Sequence, residues 1–326
     1  MGSVVTNYLG LRLKNPVIVG SCGQTSTIES ILALSDANPG AIVLKSLFEE
    51  QIENEAKVKS ENYQDSYYLD TGTIETYLKN YSIDTYLELI YKAKQKTDTP
   101  IIASINCQTP GNWVSFAESI QQAGADAIEL NVSVLPFNED LGCNENESVY
   151  FEIIGKIKEH LNIPLSLKMS YYSSGLAKLI KRLSWTGDIQ GMILFNRYYN
   201  PDIDINQMTI TASNIFSTSH EYTLPLRWIA LLSKKVECDL VGNTGIHSGE
   251  TVAKMLLAGA AATQVVSAIY KNGPTVISKI VSELQTWMEL KGYNSIEEFK
   301  GLLAHNDINH RQFERTQFMK HYGTID

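Results

Sequence analysis

Basic residues are in short supply in this 326-residue chain: 27 Lys and Arg stand against 36 Asp and Glu, for a formal net charge of −9. Nucleic acid and anionic membrane both require a cationic face, so neither is expected as a partner. Long apolar runs are also missing. No stretch reaches the roughly 18 apolar residues of a spanning helix. The opening MGSVVTNYLGLRLKNP has neither the apolar core nor the small-residue cleavage site of a secretory signal, and the reading is cytoplasmic. Cysteine is thin, and Cys22, Cys107, Cys143 and Cys238 form no C-x-x-C pair, so reduced thiols are expected. The six histidines are scattered without H-x-x-x-H spacing, which argues against a metal site.

What is present is an alternation. Eight short β-rich apolar runs occur at 16–21, 41–46, 101–105, 127–131, 165–169, 191–196, 239–242 and 262–267. They are nearly continuous in hydrophobicity, as strands covered on both faces require. Between them, residues 84–96, 113–123, 148–160, 176–183, 226–235 and 250–258 carry apolar positions at three and four spacing, the helical signature. Gly40, Gly124, Gly187 and Gly259 each stand just before a strand, where a left-handed residue ends a helix. A repeated βα unit predicts an α/β fold, a (β/α)₈ TIM barrel forming a single domain over 1–326. Residues 1–15 contribute an N-terminal hairpin over the barrel bottom. Residues 274–290 read as the last barrel helix, and 292–326 as a C-terminal helical extension. The connection 49–83, rich in Tyr, Asp and Glu, is long enough to cover a site. An open doubly wound sheet is the alternative, disfavoured by the absence of G-x-G-x-x-G after the first strand.

Barrel enzymes place their chemistry where strands end. Lys45, Asn131, Lys168 and Asn196 interrupt apolar runs at or near four strand ends. Singly, each reads as a solvated residue at a strand exit. Together they suit a flavin and a cyclic amide: lysine stabilises negative charge on the reduced ring, and asparagine serves both donors and acceptors. The seventh strand runs into Gly242-Asn-Thr-Gly-Ile-His-Ser-Gly249 and the eighth into Val266-Ser267. In barrels, these two loops often hold a phosphate on backbone amides; an ordinary glycine-rich turn is the plainer reading.

The residues resemble the class 1 dihydroorotate dehydrogenases, FMN-dependent (β/α)₈ barrels that convert dihydroorotate to orotate in pyrimidine biosynthesis. The resemblance is carried by YLGLRLKNPVIVGS at Tyr8, VLKS at Val43, AGADAIELNVS at Ala123, PLSLKMS at Pro164, ILFN at Ile193, the Gly242 loop and QVVSAIYKNGP at Gln264. It implies FMN as cofactor, with Ser21 beside the flavin and Lys45 touching flavin and substrate. It further implies Asn131 and Asn196 on the substrate ring and Lys168 near flavin N1. Gly242, Thr244, Gly245, Val266 and Ser267 are then the phosphate cradle, and Asn106 a further flavin contact. The expected partner is a small molecule, dihydroorotate or a related cyclic amide, with a homodimer left open.

The chain also departs from that pattern. The family reads N-x-S-[C or S]-P-N after the fourth strand, its Cys or Ser being the base. Here the sequence is Asn131-Val-Ser-Val-Leu-Pro-Phe-Asn138, with Val134 in the base position. Residues 69–77 replace the family's N-S-M-G-L-P-N loop, and Arg197 follows Asn196 where a small hydroxyl residue is usual. SLFEEQI at Ser46, FNRYYNPDIDI at Phe195 and LPLRWIALL at Leu224 are similar to a divergent, dihydroorotate dehydrogenase-like branch. Ser133 is expected to face away, His247 to act as a structural or phosphate-side donor, and Cys143 to be the thiol available as a substitute base, in a catalytic set with Lys45, Asn131 and Asn196. An FMN oxidoreductase acting on a CH–CH bond, one with another cyclic amide or acid as substrate, and a catalytically silent flavin or phosphate barrel all remain open.

Overall fold

The chain begins with an antiparallel hairpin, β1 (Thr6–Tyr8) and β2 (Leu11–Leu13). The structure, a computed structural model, describes residues 2–51, 83–109, 114–198, 200–305 and 319. The eight apolar runs then fold as β3 (Val17–Val19), β4 (Ala41–Val43), β6 (Ile101–Cys107), β7 (Ala127–Val132), β8 (Leu165–Lys168), β9 (Gly191–Leu194), β12 (Asp239–Asn243) and β13 (Ala262–Val265). Every neighbouring pair is parallel, and the β13–β3, β3–β4 and β4–β6 pairings close the ring. A two-residue strand, β5 (Leu47–Phe48), also pairs with β6.

Helices α1 (Ile28–Asp36), α2 (Ile83–Lys96), α3 (Val114–Gln122), α4 (Cys143–Lys158), α5 (Leu176–Ser184), α6 (Thr223–Leu232), α7 (Gly249–Ala258), α8 (Ser267–Asn272) and α9 (Val276–Lys291) alternate with the strands. The forces are local and legible. In α5, Leu176, Leu179, Ile180 and Leu183 form one buried stripe. In α7, the Ser248 hydroxyl accepts from the Thr251 amide at 3.3 Å, and Gly259 at φ 108 ends the helix.

The barrel interior has a floor. Tyr8, Leu9 and Leu13 of the hairpin pack with Ile18, Ala41, Val43, Ile102, Ala127, Ile193, Val241 and Ala262, and all are buried. The alanines leave room for the Tyr8 ring, so the hairpin plugs the bottom of the barrel as expected from the sequence.

Three features depart from the sequence reading. Helix α1 has too short a stripe, with only Ile31 and Leu34 buried, to stand out by periodicity. A second hairpin, β10 (Pro201–Asp204) and β11 (Thr209–Ala212), sits outside the ring. Gly40 is not the left-handed residue before β4; that residue is Asn38, at φ 61. A Cβ on Gly40 would instead lie 2.1 Å from the Asn15 carbonyl oxygen, so glycine is needed for close approach. The long connection expected to cover the site lies mostly outside the described residues, as does the segment 69–77. Of the C-terminal extension, the described part contains the 3₁₀ turn Ile296–Glu298.

Candidate active site

Alternation along the strands carries the barrel from apolar to polar. Side chains two apart face the same way, so Val43 is followed by Lys45, Ile102 by Ser104, Ala127 by Glu129 and Asn131, and Ala262 by Gln264. Above the floor, Lys45, Asn131 and Gln264 line a cavity of about 510 Å³, with Ser104 and Glu129 behind the lining. Lys45, Asn131, Lys168 and Asn196 all line it, as do Ser21, Thr244, Gly245, Val266 and Ser267. Among the described residues its lining includes Lys45, Lys168 and Arg197 but no carboxylate. Of these cations, Lys168 and Arg197 are paired with Glu129 and Glu221, which stand outside the lining.

Beneath it lies a buried polar cluster. Lys168 Nζ donates to Gln264 Oε1 at 3.3 Å and stands 3.6 Å from Glu129 Oε1, while Gln264 Nε2 donates to Glu129 Oε2. Glu129 and Gln264 are each 1% exposed and Lys168 6%. Beside them, Asn131 Oδ1 is buried and accepts no hydrogen bond among the described residues. A buried acceptor without a donor is costly, about 1–3 kcal/mol, and marks a place where a ligand donor fits. At the β3 and β4 exits, the Ser46 amide donates to Ser21 Oγ at 2.9 Å, and Ser46 Oγ lies 2.8 Å from Ser104 Oγ. This hydroxyl chain fixes both strand ends.

The β12 and β13 exits form the other end. Asn243 Nδ2 donates to the Phe195 carbonyl at 2.6 Å. Thr244 and Gly245 then both take left-handed conformations, φ 81 and 75. A β-branched residue at positive φ is strained, by about 1–3 kcal/mol, and such strain concentrates at binding turns. The turn is held by Ser217, whose Oγ accepts from the Gly245 amide at 3.4 Å and lies 3.1 Å from His247 Nε2. The Ser217 amide donates to Ser267 Oγ at 2.9 Å. Burial, then the Lys271 ammonium, push the His247 imidazole below its ordinary pKa, which suits a neutral structural partner.

Ser217 arrives on the segment after β11, and Arg197 fastens that segment. Its Nε donates to Glu221 Oε2 at 2.8 Å and its Nη1 to the Ile215 carbonyl at 2.9 Å. Arg197, in the position of a small hydroxyl residue, is therefore a clamp on the cavity wall. The branch motif at Ser46 is likewise structural: buried Glu49 accepts from the Gln108 amide at 2.6 Å, tying the β4 exit to the β6 exit.

Other expected residues lie elsewhere. Gly242 is not in the lining; a Cβ there would meet Met255 Sδ at 2.9 Å, so it permits α7 to pack on β12. Asn106 stands opposite Asn131 in the β6–β7 register but outside the lining. Ser133 is also outside it. Cys143 is not on a loop: it is the first residue of α4, whose opening turn Cys-Asn-Glu-Asn-Glu has no apolar periodicity to reveal it. Cys143 and Val134 line a separate cavity of about 290 Å³. Glu129, Gln264, Asn243, Ser217 and Cys22 were missed as site residues. Polar side chains at inward strand positions were the available signal for the first three. No local pattern marks Ser217.

The sequence matches the family model described as Dihydroorotate dehydrogenase over residues 3–288. The dihydroorotate dehydrogenase B (NAD(+)), catalytic subunit, of Thermoplasma acidophilum is 25% identical over 308 residues, covering 93% of this chain and 99% of that protein. Proteins of the same name from Methanosarcina mazei and Pyrococcus abyssi are each 28% identical over 306 residues, covering 92% and 91% of this chain and 94% and 97% of those proteins. With a closed parallel barrel, polar groups gathered at its strand exits and a match over nearly its whole length, the chain belongs to the dihydroorotate dehydrogenase family of oxidoreductases.

Proposed function

We propose that the chain is an FMN-dependent oxidoreductase acting on a CH–CH bond of a cyclic amide or related acid. One observation carries the reading: Lys45, Asn131, Lys168 and Asn196 converge on one cavity whose lining has no carboxylate among the described residues. Three features fit FMN. The volume, about 510 Å³, lies within the usual range for small-molecule sites. The orphaned Asn131 Oδ1 awaits a donor of the kind a flavin or cyclic amide N–H supplies. The left-handed Thr244–Gly245 turn, with Val266 and Ser267 opposite, suits a single phosphate group.

In this reading Ser21, Lys168, Gly245, Val266 and Ser267 hold the cofactor, and Lys45, Asn131 and Asn196 orient the substrate. When bound, FMN supplies a two-electron acceptor. The chain's own task is then to remove the neighbouring proton, and Val134 has no group to accept it. Cys143 shares the side cavity with Val134, outside the lining that Lys45 and Asn131 belong to, and its Sγ lies 3.9 Å from Ser174 Oγ. General base catalysis typically supplies 10²–10⁴-fold. Dihydroorotate oxidation is therefore expected to be slower by about that factor than in a relative with Cys or Ser at the base position, and Val134 favours a different cyclic amide or acid as the better substrate. The four free cysteines support a cytoplasmic setting. The relatives' name, a catalytic subunit using NAD(+), makes a second subunit that passes electrons to NAD(+) the assembly to look for.

The test is anaerobic bleaching of the purified protein's flavin absorbance by dihydroorotate and by a panel of cyclic amides and acids. Rapid bleaching by one panel member and slow bleaching by dihydroorotate are expected. Rapid bleaching by dihydroorotate would overturn the substrate assignment, and a protein without flavin absorbance would overturn the cofactor.

A further inference from the structure

Glu129 is the least expected residue in the barrel. It is a carboxylate 1% exposed, on a strand whose preceding inward residue, Ala127, belongs to the apolar floor. Burying an ion pair is often no more stabilising than burying apolar side chains of similar volume, and removing one partner of such a pair is strongly destabilising. The floor residues below show that this barrel packs well with Ile, Val and Ala, so stability alone does not call for a charge one layer higher. The carboxylate does have two specific contacts: Oε1 stands 3.6 Å from Lys168 Nζ, and Oε2 accepts from Gln264 Nε2. Gln264 in turn accepts from Lys168 at 3.3 Å. The amide thus bridges the two charges, and the ammonium is held against the barrel wall. Lys168 and Gln264 face the cavity, and Glu129 does not reach its lining.

Resting on the FMN reading above, we propose that Glu129 is a positioning residue that sets the reduction potential of the bound flavin. It does so by fixing Lys168 and by offsetting the positive charge that Lys168 presents to the cavity. With the carboxylate present, the Lys168–Glu129–Gln264 group carries no net charge. Without it, an uncompensated ammonium faces the cofactor and favours the form carrying the added electrons.

The test is the flavin midpoint potential of the purified holoprotein, measured by anaerobic titration against reference dyes. Glu129→Gln should raise the ratio of reduced to oxidised flavin at a given potential at least ten-fold, about 30 mV upward for a two-electron couple. Lys168→Met should move it the opposite way, and the double variant, neutral again, should return within a few-fold of the wild type. A merely structural role would shift both single variants in the same direction. That result overturns the proposal, as does a Glu129→Gln potential within two-fold of the wild type. Should Glu129→Gln fail to retain FMN, Lys168→Met and the double variant decide: a Lys168→Met potential that does not fall, or a double variant that does not return toward the wild type, overturns the proposal. A wild-type protein that carries no flavin overturns the cofactor reading and this proposal together, whereas unmoved potentials in flavin-loaded variants overturn this proposal alone.

Discussion

The two halves of the barrel interior are built from the same strands to opposite ends. In the lower half, Ile18, Ala41, Val43, Ile102, Ala127, Ile193, Val241 and Ala262 close on the Tyr8 plug as one apolar cluster. In the upper half, Ser104, Glu129, Lys168 and Gln264 are equally buried but polar. Strand β7 alone supplies Ala127 to the floor and Glu129 and Asn131 to the site. Burial of apolar area stabilises the lower half at about 25 cal/mol per Å². In the upper half each polar group must find a partner or remain a liability, and Asn131 Oδ1 has none among the described residues. A barrel of this kind confines its stability to one end of each strand, which frees the other end to keep unsatisfied groups for a ligand.

If that division is real, damage to one half should leave the other working. The largest effect is expected at Gly245. A Cβ there would lie 2.2 Å from the Tyr222 amide nitrogen, at a φ of 75, and a carboxylate would also repel a phosphate. Gly245→Glu is expected to abolish FMN retention while leaving far-ultraviolet circular dichroism unchanged; purified variant with full flavin absorbance would place the phosphate elsewhere. Next comes Tyr8→Ala in the floor, where Tyr8 is 1% exposed. Truncating a buried aromatic typically costs about 3–5 kcal/mol, to be read from urea unfolding of the two proteins. FMN occupancy of the still-folded variant should match the wild type. Loss of flavin from a folded Tyr8→Ala protein would break the comparison, because the floor would then be shaping the site.

Much of this was legible in the residues, for reasons particular to each. The eight strands showed because both of their faces are covered, so that Ile101–Ile105 and Leu165–Met169 read as apolar runs. Lys45, Asn131, Lys168 and Asn196 showed because each interrupts such a run. Glu129 and Gln264 sit inside the runs, and only alternation, not strand-end position, marks them as inward. Ser217 was illegible: it lies 50 residues from Ser267, to which it bonds, and 30 from His247. Helix α4 was placed late because its first turn is polar. Arg197 was visible as an anomaly, but its clamp on Glu221 across the β10–β11 insertion depends on the three-dimensional path of that insertion.

The smallest effect concerns that clamp, which belongs to the upper half yet works as structure. Burial alone would raise the Glu221 carboxyl pKa, but hydrogen bonds from Arg197 and from the Thr218 amide, at 2.8 and 2.7 Å, hold it below the ordinary glutamate value. A carboxyl whose pKa is lower folded than unfolded adds stability above its unfolded pKa, roughly pH 4.3. That stability fades as the pH falls through the folded value. The Glu221 side chain is 34% exposed, so solvent screening limits the pair to about 0.5–1 kcal/mol. Glu221→Gln should therefore be less stable than the wild type by about that much at pH 7, and the two unfolding curves should converge in strong acid, once the wild-type carboxyl is protonated. A gap that persists undiminished into strong acid would show that Glu221 acts by packing rather than by charge. A gap that closes, with FMN retention intact at pH 7, would show that the cavity wall tolerates a looser clamp and that the Thr244–Gly245 turn is held chiefly by Ser217.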